Sequence, residues 1–216
     1  MFTPVKKNIF AWRTQDPEYD WEMVGHLLIR NGKLLLIDPP YTHGLEKAVK
    51  FMGEPEAIVI TTADHTRGSR YLSHKLHIPL YVPVQNDSTS VSPKQIYKEK
   101  GIVNYEIYDE GSLLWLTSKR VKVFCGKDDK LPYMDEMILM DDEGSIITGD
   151  IVMGSPTGEV LTSNEGFTDT PDSSKVRASY EALRDSLKGL SQINLLSSHG
   201  TDIVGNLHKK ILEKKF

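Results

Sequence analysis

Three short apolar segments of this chain each run out onto side chains of the kind that bind metals. "AIVITTADH" ends on Asp64-His65, "SIITGD" on Asp150, and "INLLSSHG" on His199. A carboxylate beside an imidazole just past a strand end is a common start for a metal site, but two ligands do not hold an ion alone. A fold that uses all four must bring three distant strand ends to one edge.

The surrounding pattern reads as alternating strands and helices. "GHLLIRNGKLLLIDPP" is a β-hairpin turned at Asn31-Gly32 and stopped after Asp38 by Pro39-Pro40. "THGLEKAVKFMG" is a helix with Leu45, Ala48, Val49 and Met52 on one face and Gly53 as its stop. A strand over 57–60 and a helix over 67–77 follow, the helix with Tyr71, Leu72 and Leu76 inward. "IPLYVP" is another strand. Strands are predicted over 102–108, 112–116, 120–125, 136–140 and 145–148. A helix over 173–188, capped by Asp172 or Ser173, carries Val176, Tyr180, Leu183 and Leu187 as its apolar stripe and ends at Gly189. The strand "INLLSS" and a helix from about 204 to 213 complete the chain. This order predicts an α+β fold in which two sheets pack face to face with helices outside. A chain of 216 residues suits a single domain over 1–216.

With these motifs in this order, the chain resembles the metallo-β-lactamase fold family. "LLLIDPP" is similar to the family's first motif, "TTADHTRGS" to its HxHxDH loop and the glycine that follows, "IITGD" to its Thr-Gly-Asp motif, and "LLSSHG" to its final His-Gly strand end. The resemblance covers most of the chain and implies an αββα four-layer sandwich. It also implies one divalent metal, with zinc first and iron or manganese behind it, held at the family's second site by Asp64, His65, Asp150 and His199. The first site is different. Its two leading histidine positions align with Ile60 and Thr62, and "GKDDKLPYMDE" occupies the place of the third, with Lys130 nearest to it. The implied activity is hydrolysis of an ester, lactone, thioester or phosphoester by metal-activated water. Asp64 and Lys130 are the catalytic candidates; the Lys130 ammonium is suited to an oxyanion or an acidic substrate, or else is a solvated member of "KDDK". The alternative is a non-catalytic descendant that binds a small molecule or a protein partner in the old pocket, with or without metal. Redox chemistry at iron is a third, weaker reading.

Other residues read more plainly. Asp38 is expected to bond backbone amides of neighbouring loops, His26 to sit satisfied in the core, and His43 to cap a helix or line a pocket rim. His74, His77 and His208 are surface or packing positions, and Cys125 is a small buried hydrophobe. Residues 84–95 and 153–174 are the expected pocket walls, with Arg67, Tyr133 and Phe167 as further contacts for a small-molecule ligand. A formal charge of −4 argues against a nucleic-acid partner, and Lys209, Lys210, Lys214 and Lys215 read as a solvated helix end. A single cysteine excludes an internal disulfide framework. The chain shows no apolar run long enough for a signal peptide or a membrane span, so the expectation is a cytoplasmic protein without a membrane partner.

Overall fold

The computed structural model describes residues 2–18, 21–85, 93–123, 134–162, 174–189, 194–205 and 207–214. The single domain expected over 1–216 contains two compact units. Residues 1–84 with 91–108 form the first, and residues 85–90 with 109–216 the second.

The first unit is organised by the Asn31-Gly32 turn. Both residues take positive φ, 52° and 79°, as a two-residue hairpin turn requires. The turn joins β3 (Glu22–Arg30) to β4 (Lys33–Ile37) with Arg30 opposite Lys33. Two further strands that the local residue pattern does not mark, β1 (Thr3–Lys6) and β2 (Ile9–Gln15), extend the sheet on the β3 side. On the other side β5 (Glu54–Val59), β6 (Leu80–Pro83) and β7 (Glu106–Tyr108) add in parallel. The result is a seven-stranded sheet in sequence order. Helices α1 (Leu45–Met52) and α2 (Ser69–Leu76) supply the parallel crossovers and pack on β5. A third helix, α3 (Pro93–Glu99), takes in the last three residues of the expected pocket wall 84–95; residues 86–92 of that wall lie outside the described residues.

Leu34, Leu35, Leu36 and Ile37 are all fully buried, so β4 is covered on both faces, as a continuous apolar strand demands. One face joins Leu45, Val49, Leu72, Leu76, Tyr97 and Ile102 in a single cluster. Each such buried side chain contributes about 1.5–3 kcal/mol relative to exposure. Tyr71 corrects the expected inward stripe of α2. It is 40% exposed and stacks edge-on against Tyr41 at 4.8 Å.

The second unit holds a five-stranded sheet in the order β14-β11-β10-β9-β8. Its strands are β8 (Gly111–Leu113), β9 (Leu116–Val123), β10 (Met134–Met140), β11 (Ser145–Thr148) and β14 (Asn194–Ser197). A separate hairpin of β12 (Val152–Gly154) and β13 (Val160–Thr162) follows β11. Helix α4 (Ser174–Ser186) packs on β9; its Val176, Tyr180 and Leu183, with Leu187 just beyond, are buried as the periodicity predicts. Helix α5 (Leu207–Glu213) packs on β13. Lys214 and Lys210 are not a solvated end: their ammonium groups donate to the carbonyls of Val160 and Gly158 and tie α5 to the hairpin. No helix among the described residues is long and apolar enough to cross a membrane.

Candidate metal centre

In the first unit, β5 runs into a 3-10 turn over Ala63–Thr66. The turn places His65 against Asp38 at the end of β4, with Nδ1 of His65 2.9 Å from Oδ2 of Asp38. Asp38 also accepts from the Thr61 amide (2.7 Å) and the Thr61 hydroxyl (2.5 Å). Both side chains are nearly inaccessible, at 0% for Asp38 and 4% for His65. A buried carboxylate on Nδ1 keeps the proton there and leaves Nε2 as the lone-pair nitrogen, the arrangement a metal-ligating imidazole needs. Asp38 therefore does more than bond loop amides: it orients a donor. Arg67 is part of the same scaffold, since its guanidinium donates to the carbonyls of Val24 (3.1 Å) and Asp38 (3.2 Å).

Asp64, the neighbour of His65, behaves differently. Its carboxylate is 49% exposed and lies 2.6 Å from the Lys100 ammonium, just past α3. The two positions that align with first-site histidines are filled by the fold. Ile60 is fully buried in the cluster shared with Leu72 and Tyr97, and Thr62 is 1% exposed with its hydroxyl unbonded. Lys130, Tyr133, Phe167 and Cys125 lie outside the described residues.

The second unit builds its donors from one parallel strand pair. Strands β11 and β14 run in register, with Thr148 opposite Ser197. Asp150 and His199 each stand two residues beyond that last pair, so the register brings them to the same level of the sheet. Nε2 of His199 is 3.5 Å from Oδ1 of Asp150, and both side chains are under 10% exposed. The loop carrying His199 is pinned by the Ser198 amide on the Thr148 carbonyl (2.9 Å) and the Thr201 amide on the Gly154 carbonyl (2.8 Å). Gly154 permits this contact, because a Cβ there would stand 1.9 Å from the Thr201 carbonyl oxygen.

Glu136, which sequence reasoning missed, completes this half. The register of Leu139 with Ile147 and Met140 with Ile146, continued outward, sets Glu136 level with Asp150. Its carboxylate accepts from three successive amides, Gly149 (2.8 Å), Asp150 and Ile151 (2.9 Å). It is fully buried. Burial, and then the charge of Asp150, push its carboxyl up to about 8 against the opposing pull of the three amides. The signal available in "MDEMILM" was an acid inside an apolar strand, which needs buried partners.

Both halves suit a divalent cation by donor chemistry. One offers an imidazole with a fixed tautomer; the other offers a carboxylate and an imidazole 3.5 Å apart. That separation is longer than a good N–H···O bond and suits two donors that each lie about 2.0–2.2 Å from one ion. The remaining histidines fall elsewhere. His26 is fully buried within β3, and His74 and His77 are exposed. His43 lines a cleft of about 250 Å³ with Phe2, Trp12 and Leu45.

No protein-family model matches the chain, and a comparison with curated proteins finds no match. Solved structures do match. The metallo-β-lactamase TMB-1 aligns with 98% of this chain and 94% of its own at a TM-score of 0.69 and 14% identity. A metallo-β-lactamase from Hirschia baltica aligns with 98% of this chain and 95% of its own at 0.67 and 13% identity. FIM-1 from Pseudomonas aeruginosa, in a mono-zinc form, aligns with 98% of this chain and 92% of its own at 0.67 and 14% identity. Likeness at such identity is a likeness of fold, and with the α+β architecture it identifies this chain as a protein of the metallo-β-lactamase fold.

Proposed function

We propose that this chain is a metal-dependent hydrolase that binds one divalent cation, zinc foremost, through His65, Asp150 and His199. His65 in the first unit and the Asp150–His199 pair in the second carry the metal-type donors. The observation that carries the reading is the pairing of Asp150 with His199 at matched positions beyond two parallel strands. The Nδ1-anchored imidazole of His65 adds to it. A mono-zinc form occurs within this fold in FIM-1, which supports a single-ion site here.

When bound, the ion supplies Lewis acidity and makes hydroxide available near neutral pH. The chain's own residues do the rest. Asp38 holds His65 in the tautomer that offers Nε2, and Asp150 supplies the negative charge that offsets the cation. The two aligned first-site positions offer no imidazole, because Ile60 has no donor atom and the Thr62 hydroxyl is a poor ligand at neutral pH. The substrate class is a small ester, lactone, thioester or phosphoester. Lys130 is the candidate cation for its oxyanion or acidic group. Nucleic acid and membrane are not among the proposed partners.

One observation favours the non-catalytic alternative. Asp64, expected as both ligand and catalytic group, is engaged by Lys100. Elemental analysis of protein purified without added metal, with thermal melting against a Zn²⁺ titration, separates the two. The hydrolase reading expects one stoichiometric ion and a rise in melting temperature that Asp150→Ala abolishes. A metal-free protein that Zn²⁺ fails to stabilise sinks it.

A further inference from the structure

We infer that Glu136 is the positioning residue of the site: it fixes the backbone from which Asp150 projects and so sets where that carboxylate points. This inference rests on the metal-site reading for its functional consequence and on geometry for its substance.

The turn after β11 has to leave the sheet, change direction and start β12 within the three residues 149–151. Amides freed by such a turn need acceptors when they are buried. Here all three consecutive amides converge on one carboxylate from the neighbouring strand. Each bond satisfies an amide that would otherwise be buried without an acceptor, which makes it costly to break. Three of them on one side chain leave the peptide planes on both sides of Asp150 little freedom to rotate. The Thr148 hydroxyl closes the far side by donating to the Val152 carbonyl at 2.9 Å. Glu136 is itself anchored, because it lies within the continuous β9–β10 ladder opposite Val121. The placement of Asp150 is thus inherited from the sheet.

A buried acid that touches three amides could instead serve stability alone. The structure offers a control for that role. Asp141 is also buried, at the far end of the same hairpin, and its Oδ1 accepts from the amides of Glu143 (2.9 Å) and Ser145 (2.7 Å). It caps the β10–β11 turn without touching Asp150.

The test compares Glu136→Gln, Glu136→Asp and Asp141→Asn with the unaltered protein. Two readouts are used: amide hydrogen exchange in chelator-treated protein, and Zn²⁺ affinity by competition with a chromogenic chelator. Glu136→Gln keeps one acceptor oxygen and turns an NH₂ toward the amides. Glu136→Asp keeps the carboxyl group but withdraws it by one methylene, and serves if the glutamine variant does not fold. Exchange at 149–151 should rise at least about tenfold in the Glu136 variants and stay unchanged in Asp141→Asn. Zn²⁺ affinity should fall about 10–100-fold in the Glu136 variants alone, as outer-shell losses do. Unchanged exchange at 149–151, or unaltered Zn²⁺ affinity in a folded Glu136 variant, overturns the inference. Should the unaltered protein bind no Zn²⁺, the metal reading fails by itself, and the exchange result alone decides whether Glu136 holds Asp150.

Discussion

The Lys100 ammonium sits 2.6 Å from the Asp64 carboxylate, directly beside the buried His65. Two adjacent residues of one turn therefore have opposite fates: one imidazole is sealed against Asp38, and one carboxylate is drawn outward by a lysine. Lys100→Met should change folding stability by less than about 1 kcal/mol, because the pair is largely solvated. Its effect on metal binding should be larger. Removing a cation near the site and freeing a carboxylate should raise Zn²⁺ affinity roughly fivefold, given about 1 kcal/mol per nearby unit charge. Chelator competition reads the change, and adding Asp64→Asn should cancel part of it.

Asp38→Asn tests the histidine orientation. Asparagine keeps the volume but loses the carboxylate shared by Thr61 and His65. The imidazole then has no fixed tautomer, and Zn²⁺ affinity should fall about 10–100-fold. The metal-free protein should also lose on the order of 2–3 kcal/mol, since the change damages a fully buried network. Denaturant melts with and without chelator separate the two losses.

Gly154→Ala should be severely destabilising. The added Cβ meets the Thr201 carbonyl oxygen at 1.9 Å, so the His199 loop must move away from β12. A loss of about 2–4 kcal/mol is expected from overpacking and a broken backbone bond. Zn²⁺-dependent stabilisation should shrink with it, because the displaced loop carries His199. Full Zn²⁺ stabilisation in this variant would argue that the loop does not hold the ligand.

Acid sensitivity is expected away from the site. Burial alone would raise the Asp109 carboxyl; the Glu110 amide and the Arg120 guanidinium outweigh it and hold the group below the ordinary carboxylate range. A depressed folded value contributes stability that is present above the unfolded value of 3.8 and is lost as pH falls through the folded value. The Asp109 side chain is 58% exposed, so Asp109→Asn should cost under about 1 kcal/mol at neutral pH. The difference from the unaltered protein should vanish in strong acid, where both are neutral. Urea melts at several pH values measure it.

Much of this was legible in the sequence because strong local signals agreed. Asn31-Gly32, the apolar stripe from Val176 to Leu187, and the strand ends at Asp150 and His199 each carry a physical rule that tertiary context did not override. The misses have common causes. Strands β1 and β2 mix polar and apolar residues and acquire their identity from pairing with β3. Tyr71 reads as apolar by periodicity, but it finds a partner in Tyr41 at the surface. The Asp64–Lys100 pair joins residues far apart in the chain, and no spacing rule anticipates it. Glu136 is not legible from sequence, because an acid in a strand has a clear reading only once the three amides facing it are known.

The parallel pairing of β11 with β14 has a consequence for how such a protein diversifies. Asp150 and His199 owe their adjacency to hydrogen bonds between two strands, not to the chain that joins them. Chain that lies outside the two strands, the 149–151 turn and the Gly154 contact can lengthen, shorten or be replaced without disturbing the distance between the two donors. The spacing of the two donors is thereby inherited on its own: the ladder passes it from ancestor to descendant, whatever the segment between its rungs becomes.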